Sequence, residues 1–301
     1  MVDEANYGST AQVLALVHFC DVTPRLFEVL LRRFRTLDAV FNADRASFLE
    51  IDGLPQRQAE RLARVSKRLP EAEAMVQALS ARDIHLLTRF DDAYGQLLFE
   101  LHDPPTLLYV RGRGVDPSQK SIAVAGTSSA TIEGIEVTTR LVKELVRHDV
   151  QIVSSLRRGI DTAVHLAARS AGGRSFAVID CGLDKVDQTE GIPVAVDIVQ
   201  SGGVISEYAP EVVTGPKSLA EANRLIVGLA RAVVVTEVYA QSERTLDLLH
   251  ACHDIGKLTF LMIDSEHGAL AEVASLAKAH EYGAIPIEGL DKIEDIVKSL
   301  V

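Results

Sequence analysis

Tryptophan is absent from this chain, and aromatic residues make up only 5% of it. That scarcity argues against an aromatic platform on which the bases of a single strand would stack. Cysteine is nearly absent too: Cys20, Cys181 and Cys252 stand apart, with no CxxC pair. No disulfide framework is expected, and a reducing cytoplasm fits. Positive charge is in deficit. The formal net charge is -11, so the field of the whole molecule repels phosphate, and any nucleic-acid site must be a local positive pocket. Residues 1–88 hold 11 Lys+Arg against 12 Asp+Glu, which leaves 20 against 30 for residues 89–301. No apolar stretch approaches the ~20 residues of a membrane helix. The first ten residues have neither a basic start nor an apolar core, so they are not read as a secretion signal.

What is present is a globular chain of 301 residues, 47% hydrophobic and 24% charged, long enough for one large domain and a small one. Residues 11–85 read as helices. Val13, Leu14, Leu16, Val17 and Cys20 recur at helical spacing, and so do Leu26, Val29, Leu30, Phe34 and Leu37. A helix is expected to end near Glu50, with Gly53 turning the chain and Pro55 opening the next helix. That pattern resembles a helix-hairpin-helix unit, which either offers backbone N–H groups to a phosphate or serves only as packing. Pro70 starts a further helix running through Ala81.

A short strand over 84–87 and turn residues Asp91 and Asp92 follow, then an extended His102-Asp103-Pro104-Pro105 segment and a strand over 106–110. From Ser121 onward strands and helices alternate. Strands are expected at 121–125, 151–154, 175–180, 203–205, 232–237 and 259–263. Helices are expected near 132–148, 160–171, 191–201, 218–230, 243–255 and 268–281. The strands are almost wholly apolar, as strands buried on both faces should be. The expected fold is α/β: a Rossmann-like, mainly parallel sheet with helices on both faces, preceded by a small all-α module. The expected boundary lies between residues 88 and 89. Ligands of such sheets bind at the C-terminal strand ends, beside helix N-termini.

Several stretches converge on one family. Phe90 to Tyr94, then Asp103 to Gly112, form a long lead-in. Val124-Ala125-Gly126-Thr127-Ser128 with Gly134 follows, then Val153 to Asp161 with Ala163 and His165. Gly182-Leu183-Asp184, Ser206-Glu207-Tyr208, Asn223-Arg224-Leu225-Ile226 and Tyr282-Gly283-Ala284 complete the set. The chain resembles the DprA/Smf family from about residue 11 to its last residue. The resemblance implies a cytoplasmic DNA-processing protein that binds single-stranded DNA. It also implies support for loading a RecA-type recombinase in recombination or transformation, and a homodimer. Family members often carry a C-terminal winged helix, and the sequence read here shows none.

The implied phosphate or nucleic-acid site comprises Gly126, Thr127, Ser128, Ser154, Ser155, Arg157, Arg158, Gly159, Asn223, Arg224 and Ser242. Ser128 stands where the family usually has arginine, Ser155 where it has glycine, Arg157 where it has a small residue, and Ala222 where an Arg-Asn-Arg motif begins. Two expected arginines are therefore missing. Small residues after a buried strand let backbone N–H groups and hydroxyls face an anion. Arg224 is the strongest candidate ligand, since a guanidinium grips two oxygens at once; its alternative partners are Glu207 and Glu237. Asp161 reads as a helix cap and His165 as a core residue.

Neither a GxGxxG nor a Walker A sequence is present, and no cofactor is expected. A related glycosidase motif finds its nearest counterpart in residues 242–248, where Leu248 occupies the place of the catalytic Glu, so no enzyme is expected. His250, Cys252 and His253 lack a further ligand pair, and no metal is expected. A rival reading gives the same pocket to a small nucleotide, as a sensor without DNA binding.

Overall fold

A computed structural model describes residues 10–188, 192–213, 215, 218–239, 242–263, 279–289 and 292–300. Two compact units emerge. The first runs to Tyr94 and includes Asp103–Leu108; the second takes Gly95–His102 and the described residues from Tyr109 onward.

The first unit is built of short helices with well-defined starts. They are α1 (Thr10–Cys20), α2 (Pro24–Phe34), α3 (Leu37–Asn42), α4 (Arg45–Leu49), α5 (Gln56–Leu62) and α6 (Leu69–Ser80), followed by β1 (Ile84–Thr88). Thr23 Oγ1 accepts from the Leu26 amide, Thr36 Oγ1 from Ala39, and Asp44 Oδ1 from Ser47. Each cap satisfies an amide that the first turn would otherwise orphan. Gly53 takes φ +75 in the turn after α4, and Pro55 is the N-cap of α5. The buried face of α2 is turned from the one its spacing suggested. Phe27 and Leu30 are buried, whereas Val29 is 37% exposed.

The second unit holds β2 (Leu107–Gly112, from Tyr109 on), β3 (Ser121–Gly126), β4 (Gln151–Ser155), β5 (Ser175–Val178), β6 (Gly203–Ser206), β7 (Ala232–Glu237), β8 (Leu258–Ile263) and β9 (Ile285–Glu288). Their order across the sheet is β2-β6-β5-β4-β3-β7-β8-β9. β2 runs antiparallel to β6, and the remaining pairs are parallel. The antiparallel edge and the terminal β9 were not foreseen from the sequence.

The described helices of this unit are α7 (Ile132–Arg147), α8 (Ile160–Ser170), α9 (Ile192–Ser201), α10 (Ser218–Gly228), α11 (Glu243–Asp254) and α12 (Ile293–Ser299). The expected helix over 268–281 falls mostly outside the described residues. Every residue of β7 is buried, the apolar run Ala232 to Val235 and the polar Thr236 and Glu237 that end it alike. One core joins Ile122, Val124, Leu141, Leu145, Ile152, Val164 and Val234 between the sheet and α7 and α8.

The chain winds from β3 through β4 and β5 to β6 in one direction. It then returns to place β7, β8 and β9 on the other side of β3. The order reverses beside β3, which makes its C-terminal end a topological switch point, where sheets of this class leave a crevice.

Candidate functional site

A pocket of about 180 Å³ opens at that crevice. Its wall comes from the end of β3 (Ala125, Gly126) and Ser128, from Ser155, Arg157 and Asp161 around β4 and α8, from Asn223 and Ile226 of α10, and from Ser242 to Thr245 with Leu248 around α11.

Two glycines let the strand-end loops close on each other. A Cβ on Gly126 would sit 2.6 Å from Ile160 Cγ1, so the missing side chain makes room for the first residue of α8. Gly159 takes φ +80, and a Cβ there would sit 2.5 Å from Thr127 O. Backbone bonds lock this approach: Ile160 N–H donates to Thr127 O at 3.1 Å, and Thr127 N–H to Glu237 O at 2.9 Å. Thr127 Oγ1 accepts from the Ser129 amide at 3.2 Å, and the Glu237 carboxylate accepts from Thr131 N–H at 3.1 Å. The amides of Thr127, Ser129, Thr131 and Ile160 are therefore spent on holding the loops together. An anion here would rely on cationic side chains more than on a backbone cradle.

Arg157 and Arg244 supply the cations. Arg157 is half-buried, and its guanidinium donates to Asp180 Oδ2 at 3.0 Å. Burial weakens its hold on the proton, and the Asp180 carboxylate beside it restores part of that hold. The repulsion of Arg244, close enough to act on Arg157, lowers it further. Arg244 lies in the first turn of α11 and is exposed at the rim. Asn223 is buried and anchors this side by donating from Nδ2 to Arg244 O at 3.2 Å. Thr245 Oγ1 donates to Gly126 O at 3.0 Å, fastening α11 to β3.

At the base of the pocket lies Asp161, 8% exposed. It does not cap α8; Gly159 holds the N-cap position. Instead its carboxylate turns back to accept the Ser155 hydroxyl. Burial pushes its pKa up to about 6, against the Ser155 hydrogen bond and the Arg157 charge, which pull it down. On the next turn of α8, His165 is buried, with Nε2 at 2.8 Å from Ser155 O. Burial drives its pKa down to about 4, so it is a neutral core histidine carrying its proton on Nε2.

The eleven residues expected at the site separate. Gly126, Ser128, Ser155, Arg157, Asn223 and Ser242 line the pocket. Thr127 is buried in the loop bonds just described, and Ser154 donates its hydroxyl to Val124 O at 2.7 Å, tying β4 to β3. Arg158 and Gly159 border a different, largely apolar groove between α7 and α8, with Ile135 and Leu166. Arg224 is half-buried and ion-paired with Glu207. Glu237, the other expected partner of Arg224, is wholly buried and instead accepts from the N-terminus of α7 and from Tyr239 Oη, the latter at 2.5 Å.

Arg244 and the pocket-facing role of Asp161 were missed. A signal for Arg244 existed, a cation in the first turn of the helix that follows a buried strand. On the far side of α11, His250 pairs with Asp254 at 3.1 Å and both His250 and His253 pack on Tyr282. Cys252 is buried, and burial pushes its thiol up to about 11. Among the described residues no three metal-binding side chains converge. None of the described helices is long and apolar enough to cross a membrane.

The family model for DNA recombination-mediator protein A matches residues 85–293. The chain belongs to this family. Among curated relatives, protein Smf of Synechocystis is 28% identical over 226 residues, covering 73% of this chain and 56% of the relative. DNA processing protein DprA of Streptococcus pneumoniae is 34% identical over 152 residues, covering 50% of this chain and 54% of the relative. The chain thus spans little more than half the length of these curated relatives. Of solved structures, DprA of S. pneumoniae superposes with a TM-score of 0.74 at 23% identity, covering 95% of this chain and 98% of the other. A Helicobacter pylori DprA structure, described as revealing a single-stranded DNA binding mode, gives 0.62 at 22% identity, covering 72% and 96%. At these identities the two likenesses speak to fold.

Proposed function

We infer that the pocket holds a nucleotide unit of single-stranded DNA, with Arg157 and Arg244 taking the backbone phosphate. The observation that carries this reading is the pairing of two guanidinium groups at the switch point of an otherwise acidic unit. A paired guanidinium suits phosphate oxygens in both charge and planar geometry. The family and the single strand bound by the H. pylori protein of similar fold support the same reading. The wider role is that of a DNA-processing protein which supports loading of a RecA-type recombinase in recombination or transformation. It works as a homodimer in the cytoplasm, by binding rather than catalysis. Residues 1–88 serve as the helical module and 89–301 as the binding domain.

Titration of a labelled oligothymidylate at several salt concentrations tests this reading. Each phosphate neutralised on a single strand contributes about -0.7 to the slope of log K against log salt. A slope of about -0.7 or steeper, lost in an Arg157→Ala/Arg244→Ala variant, is expected. A second reading keeps the pocket and drops the DNA, making the protein a sensor of a small nucleotide. It is favoured by the 30 acids against 20 bases in residues 89–301, which penalise a long polyanion more than a single nucleotide. Under that reading mononucleotides bind and the oligonucleotide does not.

A further inference from the structure

The groove between α7 and α8 is a second cavity, which phosphate binding at Arg157 and Arg244 leaves unused. Its volume is about 570 Å³, roughly three times that of the pocket. On the α8 side its lining runs from Arg158 and Gly159 to Ser170, so it follows that helix away from the strand ends. The loop and first turn between Ser155 and Ala163 divide the two cavities. Ser155, Arg157 and Asp161 line the pocket, whereas Arg158, Gly159, Thr162 and Ala163 line the groove. The divider is held in place: Thr162 Oγ1 donates to Arg157 O at 2.6 Å, and Ile160 N–H donates to Thr127 O at 3.1 Å. A strand with a phosphate on Arg157 has only this loop to cross before it reaches the groove.

The chemistry of the groove differs from that of the pocket. Ile135 is 40% exposed and Leu166 is 47% exposed, on neighbouring helices and against one cavity. Large apolar side chains left open together mark a binding surface. Among the described residues that line the groove there is no carboxylate, and the one charged side chain is the exposed Arg158. The cation therefore stands at the end nearest the pocket, and apolar walls lie beyond it. A nucleotide presents itself in the same order, an anionic phosphate and then the flat, weakly polar face of a base.

We propose that this groove holds the base of the nucleotide next to the one in the pocket, packed against Ile135 and Leu166, with Arg158 facing the phosphate that links the two. The inference rests on the reading of the pocket as a nucleotide site and extends it to a second nucleotide of the same strand. The divergence of Arg157 and Arg158 then has a use, since each arginine serves one of two successive phosphates.

The test uses the full chain, dTMP, the 5′-phosphorylated thymidine dinucleotide, and two forms of that dinucleotide in which one base or the other is missing. All three dinucleotides carry the same charge, so a difference among them reports a base. Covering one face of a base with apolar side chains is expected to make the complete dinucleotide bind about tenfold tighter than the form lacking the base in the groove. Leu166→Ser and Ile135→Ser each replace an exposed side chain without changing charge. Each should erase that difference and leave the salt dependence of binding intact. The two substitutions lie on different helices, so the result survives the misfolding of either variant. Equal binding of dTMP and all three dinucleotides overturns the groove inference and leaves the pocket reading standing. A difference among the dinucleotides that both folded variants retain overturns it too, since the base then lies elsewhere. If Leu166→Ser also turns a dimer into a monomer by light scattering while that difference persists, the apolar face belongs to a second copy of the chain. Failure of every nucleotide to bind overturns both readings.

Discussion

In the helical unit, arginine and carboxylate meet in pairs at the surface. Arg33 pairs with Glu50, Arg61 with Asp21, Arg45 with Glu60 at 3.3 Å and Arg68 with Glu71 at 2.6 Å. These pairs take up four of its 11 bases and four of its 12 acids. The α/β unit is the more acidic of the two, yet it brings Arg157 and Arg244 to a single cavity at the strand ends. Net charge per segment therefore does not show where cations gather on one concave surface. What matters is whether cations face one another across a concave surface, where the cost of holding them together is repaid when an anion arrives.

The largest expected effect tests that contrast directly. Replacing Arg157 and Arg244 together by alanine should weaken oligothymidylate binding by at least about 100-fold at low salt, because hydrogen bonds to charged groups contribute roughly 1.5–3 kcal/mol each. Fluorescence anisotropy reads the affinity, and thermal unfolding must accompany it, since Arg157→Ala also strips Asp180 of its partner. A folded double variant that binds like the parent would move the site away from this cavity.

Much of the architecture was legible in the sequence. The alternation of apolar runs with helical spacing placed β3 to β8 and α7, α8, α10 and α11 within a few residues, because buried parallel strands leave little freedom in composition. The strand β2 was expected over 106–110, but the edge strand β9 was not visible. Ile285 to Glu288 shows only one buried residue, so its short pattern carries little signal. The family motifs led to six of the pocket residues, but motif and geometry part at Arg158, Gly159 and Arg224. Two successive residues after a strand end can point into different cavities, as Arg157 and Arg158 do. Asp161 looked like a cap because acidic residues favour the first helical turn. Its return to Ser155 depends on the loop taking φ +80 at Gly159, which spacing alone does not specify.

A smaller effect concerns pH, where two buried groups on α8 oppose each other. Asp161 has a folded pKa of about 6, above the unfolded value, so its protonated form favours folding. Stability from this group is fully present below about pH 4 and is lost as pH rises through about 6. His165 has a folded pKa of about 4, below the unfolded value. Its contribution is present above about pH 6.5 and is lost as pH falls towards 4. The two slopes cancel in large part between those values. Asp161→Asn removes one of them. It should raise stability near neutral pH, by at most about 3 kcal/mol for a two-unit shift, and should leave a protein that loses stability as pH falls below 6. Denaturant titrations across that range check this; an unchanged pH profile in the variant would mean that Asp161 is not held protonated by burial.

Arg224 comes next. Its guanidinium is engaged by Glu207, and both side chains are about one-fifth exposed. Arg224→Ala should therefore act mainly on stability, costing about 1–2 kcal/mol, because it leaves a half-buried carboxylate with one partner fewer. Glu207→Gln in the same chain should recover part of that loss. The effect on DNA binding should stay below about tenfold. A 100-fold loss of affinity with unchanged unfolding would instead make Arg224 a ligand that leaves Glu207 when DNA arrives.

The smallest expected effect lies in the helical unit and completes the comparison. Arg45 and Glu60 are both more than 40% exposed and sit 3.3 Å apart. A pair in that setting contributes about 0.2–1 kcal/mol, since water screens the attraction and two long side chains must be held still. Arg45→Ala should shift the unfolding midpoint little and change oligothymidylate affinity by less than about twofold. The variant leaves Glu60 exposed, so any loss of affinity could come only from the net charge or from a DNA contact at Arg45. Measuring Glu60→Gln beside it separates the two causes: removing an acid raises the net charge, and should strengthen binding slightly if long-range charge is at work. If Arg45→Ala instead weakens binding tenfold and reduces the salt slope by about 0.7, a phosphate is bound at Arg45. The helical unit would then share in the DNA site, and local pairing of its arginines would no longer set it apart from the α/β unit.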